Sequence, residues 1–231
     1  MKIQLKMLLL PIALLSANCF SHENSDPLLT HLMLNQLEVS EHNGSALEAQ
    51  AWVGKDFHKL WLKTDVERRD SNTEDAEIQV LYSRALNPFW DLQMGARHDL
   101  KPTPDRTWGV LGVRGLAPYF FDLDAALFVS DSGHTAARFS VDYELLLTQR
   151  LILTPTIEIN FYGQNDTETA TGSGLSDAKT GLRLRYEIQR EFAPYVGIQW
   201  QKKFGNTADF DKGTGDVVSD MELVVGLHAW F

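Results

Sequence analysis

The chain has 231 residues and a formal net charge of −10. That acidity leaves no basic patch able to neutralise a run of phosphates, which excludes nucleic acid as a partner. Mean hydropathy is slightly negative at −0.21, and beyond the amino-terminal segment no apolar run approaches the roughly 20 residues of a membrane helix.

The chain opens MKIQLKMLLLPIALLSANCFSHENSDP. Lys2 and Lys6 precede an apolar run over 8–15, and small residues follow at Ser16 and Ala17. This is the pattern of a secretory signal peptide. Residues 1–21 are assigned to it, with cleavage between Ala17 and Ser21. Cys19 leaves a lipoprotein alternative, which Asn18 before it disfavours. Cys19 is also the sole cysteine, so the exported part forms no disulfide. Residues 22–31 read as a short disordered lead-in, and 32–231 as one unit.

From residue 32 onward, segments of about ten residues alternate between apolar and polar, each bounded by turn chemistry. Strands are predicted at 32–39, 47–53, 59–67, 76–83, 89–97, 107–116, 119–130, 135–147, 151–161, 179–189, 194–203 and 217–231. In the third, Leu60, Leu62 and Val66 oppose Lys59, Lys63 and Glu67. In the seventh, Phe121, Leu123 and Leu127 oppose Asp122 and Asp124. The eighth sets Phe139 and Val141 against Arg138, Asp142 and Glu144. The ninth sets Ile157 and Ile159 against Glu158. The tenth sets Leu182 and Leu184 against Arg183 and Arg185. Glycines blur the register of the sixth. The last carries Met221, Leu223, Val225 and Leu227 on one face and Asp220, Glu222 and His228 on the other, and the chain stops on Trp-Phe.

Twelve strands is an even number, as a single-chain bacterial barrel requires. The connections alternate as well. Odd ones are mostly long and polar (40–46, 69–75, 98–106, 162–178, 205–216), the exception being a tight turn at Asp131-Ser132-Gly133. Even ones are brief. Long outside and short inside is the habit of outer-membrane barrels, and a soluble sandwich has no reason to follow it. The expected fold is a closed antiparallel transmembrane β-barrel of about twelve strands, apolar faces to lipid and charged faces to the lumen, in the outer membrane of a Gram-negative cell.

Signals for chemistry are sparse. No histidines pair at metal-ligand spacing. His42, His98 and His134 fall in or beside outer loops, and His228 points into the lumen near its inner rim. Met33, Met94 and Met221 occupy apolar strand positions and read as packing. Ser140 lies between Arg138 and Asp142 with no histidine to activate it, and Ser132-Gly133-His134 is a turn, so no catalytic residue is assigned. The GSG at 172–174 lacks the strand–helix context of a phosphate loop.

Several long blocks resemble the copper-resistance protein B family of bacterial outer-membrane proteins. They are GLAPYFFDLDAALFVSDSG (115–133), YELLLTQRLILTP (143–155), GSGLSDAKTGLRLRYEIQREFAPYVGIQW (172–200), KKFGNTAD (202–209) and the final HAWF. The resemblance implies a barrel that handles copper ions, in contact with outer-membrane lipid and with periplasmic copper-handling proteins. Many members of that family carry a Met- and His-rich segment between signal and barrel. Here 21–30 is short, so no ligand is carried over from such a segment. The metal candidates are then the lumen set His228, Asp122, Asp124, Asp142, Glu144 and Glu158, with Arg138, Arg183 and Arg185 as ion-pair partners. A general small-solute or structural barrel without a copper site is the alternative.

Overall fold

The computed structural model describes residues 27–70, 72–214 and 217–231. The predicted signal peptide and residues 22–26 of the lead-in lie outside the described residues. The strands are β1 (Leu29–Ser40), β2 (Gly44–Gly54), β3 (His58–Arg69), β4 (Asn72–Asn87), β5 (Trp90–Lys101), β6 (Arg106–Ala117), β7 (Phe121–Ser130), β8 (Thr135–Tyr143), β9 (Leu145–Leu146), β10 (Leu151–Tyr162), β11 (Gly174–Tyr186), β12 (Phe192–Lys203) and β13 (Ser219–Trp230). β8 and β9 are one stave interrupted at Glu144, since both pair with β10. The barrel therefore has twelve staves.

Each stave pairs antiparallel with its sequence neighbours, and β1 pairs with β13, so the ring closes. Closure reaches the last residue: Leu32 N donates to Phe231 O at 2.9 Å, and Phe231 N to Leu32 O at 2.8 Å. A closed ring is what a strand protein needs in hydrocarbon, where an unpaired backbone group has no water to bond.

The side chains sort as the alternation predicts. Leu60, Leu62, Val80, Leu127, Val129, Ile198, Leu223 and Val225 are exposed on the outer surface, while Glu38, Gln50, Glu77, Gln93, Arg97, Asn160 and Arg183 are buried inside. An apolar belt of this extent on a water-facing surface would be an aggregation site; against acyl chains it meets a matched solvent. The register of β6, ambiguous in the sequence, puts Trp108 and Val110 inside and Leu111 outside.

The lumen is not uniformly ionic. Trp61, Leu81, Trp108, Val110 and Phe128 form a buried apolar cluster on its β3–β7 side. Cations lie over its rings: Arg97 is 5.1 Å from the Phe128 centroid and Arg114 is 5.1 Å from that of Trp61.

Element limits differ from expectation where polar residues continue a strand. β1 begins at Leu29, inside the predicted lead-in, and β11 begins at Gly174 instead of residue 179. Most of the long outer connections thus shrink to turns, and only the last two, 163–173 and 204–218, exceed the inner ones. β7 begins at Phe121, not at residue 119, because Tyr119 and Phe120 turn at positive φ (68° and 67°) in a short 3-10 segment, Pro118–Phe120. A short helix, α1 (Gly205–Thr214), stands in the last outer connection. Thr207 fixes it: its hydroxyl accepts from Gly172 N at 2.8 Å and lies 2.9 Å from Ser176 Oγ.

Candidate functional site

The lumen holds a cavity of about 880 Å³. At the inner rim it is lined by Met33, Phe120, Leu146 and His228, and it ends within the barrel at a layer of Glu77, Arg138, Phe128 and Lys179. All six expected metal candidates line it, and so do Arg138, Arg183 and Arg185. Strand geometry explains the convergence: alternate residues share a face, and closure turns that face inward on every stave.

The sequence suggests pairing between neighbouring strands, but most ion pairs reach across the lumen. Arg138 on β8 grips Glu77 on β4 with two parallel bonds of 2.9 and 3.0 Å. Arg183 on β11 donates from Nε to Glu38 on β1, and Tyr195 donates its hydroxyl to the same oxygen at 2.8 Å. Lys63 on β3 lies 2.8 Å from Asp124 on β7. Arg185 lies 2.7 Å from Glu144, and Arg138 is 3.6 Å from Glu158 on the adjacent β10. Arg114 stands 3.6 Å from Asp122.

These contacts divide the candidate set. Asp122, Asp124, Glu144 and Glu158 each have a cationic neighbour. Among the described residues, none lies within ion-pair distance of Asp142 or of Asp65. Asp142 is the register partner of Asp122, which sets two carboxylates side by side at the inner end of β7 and β8. His228 Nδ1 lies 3.3 Å from Asn35 O. If Nδ1–H donates there, Nε2 keeps its lone pair for a metal.

Beyond the cavity, toward the outer face, the lumen holds a further set of buried ion pairs. Arg97 pairs with Glu77 at 2.8 Å and donates from Nε to Asp99, whose other oxygen accepts from Trp108 Nε1 at 2.7 Å. Arg97, Asp99 and Trp108 are all buried. Two bonds to one carboxylate, each charge-assisted, make this layer rigid.

The sequence missed several lumen residues. Glu38, Glu48, Glu67, Glu77 and Lys179 lie inside, on polar faces that the alternation already marked, but only cross-lumen geometry says which of them meet. Of the two packing places open to Met33, lipid or interior, the structure shows the interior: it lines the cavity, with Sδ 3.6 Å from Gln50 Nε2. The bulge between Leu34 and Gln36 hides its inward face from a simple period-two reading. Ser132 Oγ and His134 Nδ1 are 2.9 Å apart, a contact local to their exposed turn.

Among the described residues one group sets three ligand-type side chains together: His42, Asp220 and Glu222, at the outer rim. None belongs to the metal set expected from the sequence.

Known proteins share both the sequence and the fold. Residues 28–231 match the family described as "Copper resistance protein B precursor (CopB)". A "Copper resistance protein B homolog" from Pseudomonas syringae pv. tomato is 45% identical over 205 residues, 87% of this chain and 70% of the relative. A "Copper resistance protein B" from Escherichia coli is 41% identical over 218 residues, 93% of this chain and 74% of the relative. Among solved structures the NanC porin superposes with a TM-score of 0.55 at 12% identity, covering 87% of this chain and 99% of that one. A KdgM porin gives 0.51 at 12% identity, covering 88% and 99%. At such identities the porins speak for the fold alone.

Proposed function

The chain belongs to the copper resistance protein B family, and from that premise we propose that this outer-membrane barrel takes copper ions from the periplasm into its inner vestibule. The observation that carries the reading is the composition of one wall. Nine carboxylates and six Lys or Arg side chains line the cavity, so its formal charge favours a cation. His228 and Met33 stand at its inner rim, and imidazole and thioether are donors that suit copper.

In this reading Asp142, with no cation within ion-pair distance, and Asp122 beside it attract the ion, and His228 binds it through Nε2. Asp124, Glu144 and Glu158 are the further oxygen donors, reached when a metal competes with Lys63, Arg185 and Arg138. Arg183 holds the wall in register through Glu38. The further layer of buried ion pairs retains the ion on the periplasmic side, where copper-handling proteins of that compartment deliver or collect it.

The test is the metal content of the refolded barrel after dialysis against copper. The triple variant D122N/D142N/H228A is expected to lose the copper held in the vestibule and to bind there at least about tenfold more weakly than the parent, the scale on which metal-site residues matter. Equal retention by the two overturns the reading. A deletion strain with undiminished copper tolerance would do the same for the physiological role.

A further inference from the structure

Ring closure brings together residues from opposite ends of the sequence. His42 stands in the turn between β1 and β2, and Asp220 and Glu222 are successive inward positions at the outer end of β13. His42 Nδ1 lies 3.6 Å from Glu222 Oε1 and 3.9 Å from Asp220 Oδ1. One ligand atom from each of the three falls within 4.8 Å of the others. An ion with bonds of about 2.0–2.2 Å holds its donors roughly 3–4 Å apart. A small rotation of His42, which is exposed, completes that geometry.

The turn is built to lie over the carboxylates. Glu41 N donates to Leu223 O at 3.2 Å, tying it to β13. Asn43 takes a positive φ of 57°, which asparagine tolerates. A Cβ at Gly44 would collide with Ser40 Oγ and come within 3.4 Å of Glu222 Oε2, so glycine is what allows the close approach.

Two features point to a missing cation. Glu222 Oε1 is shielded from solvent and accepts no hydrogen bond, although Arg69 Nη2 lies 3.0 Å away. Arg69 Nη1 donates to Asp220 at 2.7 Å. Arg69 also stands 3.8 Å from Glu74, so one guanidinium serves three carboxylates and does not by itself balance their charge. A small cavity of about 50 Å³ borders Glu222 together with Ser40, Gly44 and Arg69.

We propose that His42, Asp220 and Glu222 form a second site, at the outer mouth, for one divalent transition-metal ion of the copper(II) or zinc(II) class, and that the ion displaces Arg69 from the carboxylates. One imidazole and two carboxylates suit such ions better than copper(I), which prefers sulfur. None of these residues lines the inner vestibule, so this site stands or falls separately from that reading.

The experiment uses the full barrel refolded in detergent micelles, with folding checked by heat-modifiable gel mobility. Copper(II) is titrated against a competing chelator and followed by electron paramagnetic resonance. H42A is expected to lose the nitrogen hyperfine pattern of this site and to weaken binding at least about tenfold. R69Q is expected to tighten binding, because it removes the competing cation, and zinc(II) is expected to compete. The titration is repeated in D122N/D142N/H228A, which lacks the vestibule donors, so that the signal of the outer site is read apart from the inner one. A wild-type spectrum and affinity in folded H42A and E222Q overturn the proposal, as does weaker binding in folded R69Q. Should R69Q not fold, H42A and E222Q decide the matter, since His42 lies on the exposed rim.

Discussion

At the scale of single residues, this barrel is organised by a few inward contacts that only a particular side chain, or none, can make. Gly226 on β13 is the register partner of Tyr195 on β12. A Cβ there would stand 2.5 Å from both Cζ and the hydroxyl of Tyr195, so the ring lies flat across the glycine and reaches Glu38. G226A is expected to push the ring away, break the Tyr195–Glu38 bond and destabilise the barrel by about 1–3 kcal/mol, measured by urea unfolding in lipid vesicles. Glu77 is the second such position. It is almost fully buried and answers both Arg97 and Arg138. E77Q would leave Arg97 only Asp99 and Arg138 only Glu158 as anionic partners and is expected to cost about 3–5 kcal/mol in the same assay. A variant within 1 kcal/mol of the parent would show that water relieves the charges. The alternation marked both residues as inward, but it could not mark them as joints. Tyr195 pairs with Glu38 across 157 residues of sequence, a separation no local pattern encodes.

At the scale of elements, what sequence reading could find was what repeats. Period two identified the staves and, for all but β1 and β6, their two faces, because a half-buried strand needs alternation. It could not find where a stave ends once polar residues run past the bilayer, since pairing continues there without any apolar signal. β11 starts in the stretch Gly174-Leu175-Ser176-Asp177, which reads as loop by composition. α1 was invisible for the converse reason. Its sequence, GNTADFDKGT, has two glycines and poor helix formers, and tertiary contacts through Thr207 hold it in place. The neighbouring outer loop is pinned by an ion pair, Arg106 Nη1 to Asp166. Burial pushes the Asp166 carboxyl up, but hydrogen bonds from Arg106, Thr169 and the Glu168 amide outweigh it and hold the carboxyl below the usual carboxylate range. A depressed carboxyl contributes stability that is present above the unfolded value, about 3.9, and is lost as pH falls through the folded one. Protection from hydrogen exchange across 163–173, taken relative to the intrinsic rate at each pH, is therefore expected to be high at neutral pH and to fall below about pH 4. D166N should be poorly protected at every pH. A loop equally protected at pH 3 and pH 7 would contradict this.

At the scale of the whole molecule, the lumen is filled unevenly along its length. Its cavity reaches from the inner rim to the Arg138–Glu77 layer, behind which Arg97, Asp99 and Trp108 are buried together, and that layer is expected to limit passage. In planar bilayers the parent protein is expected to show little steady conductance. R97S/R138S, which withdraws both guanidinium groups from the layer, should raise single-channel conductance several-fold. Large steps in the parent would place the constriction elsewhere. The relatives extend beyond the matched region, since this chain spans 70% of one and 74% of the other; the barrel alone is what the described residues explain. The join between β1 and β13 carries one more implication. The backbone of Phe231 is bonded to that of Leu32, so the first stave has no partner on that side until β13 has been made. Closure in the bilayer must wait for that last stave. Until then the cell has to keep two orphan strand margins apart from those of other chains, and removing residues 227–231 leaves that seam permanently unstitched.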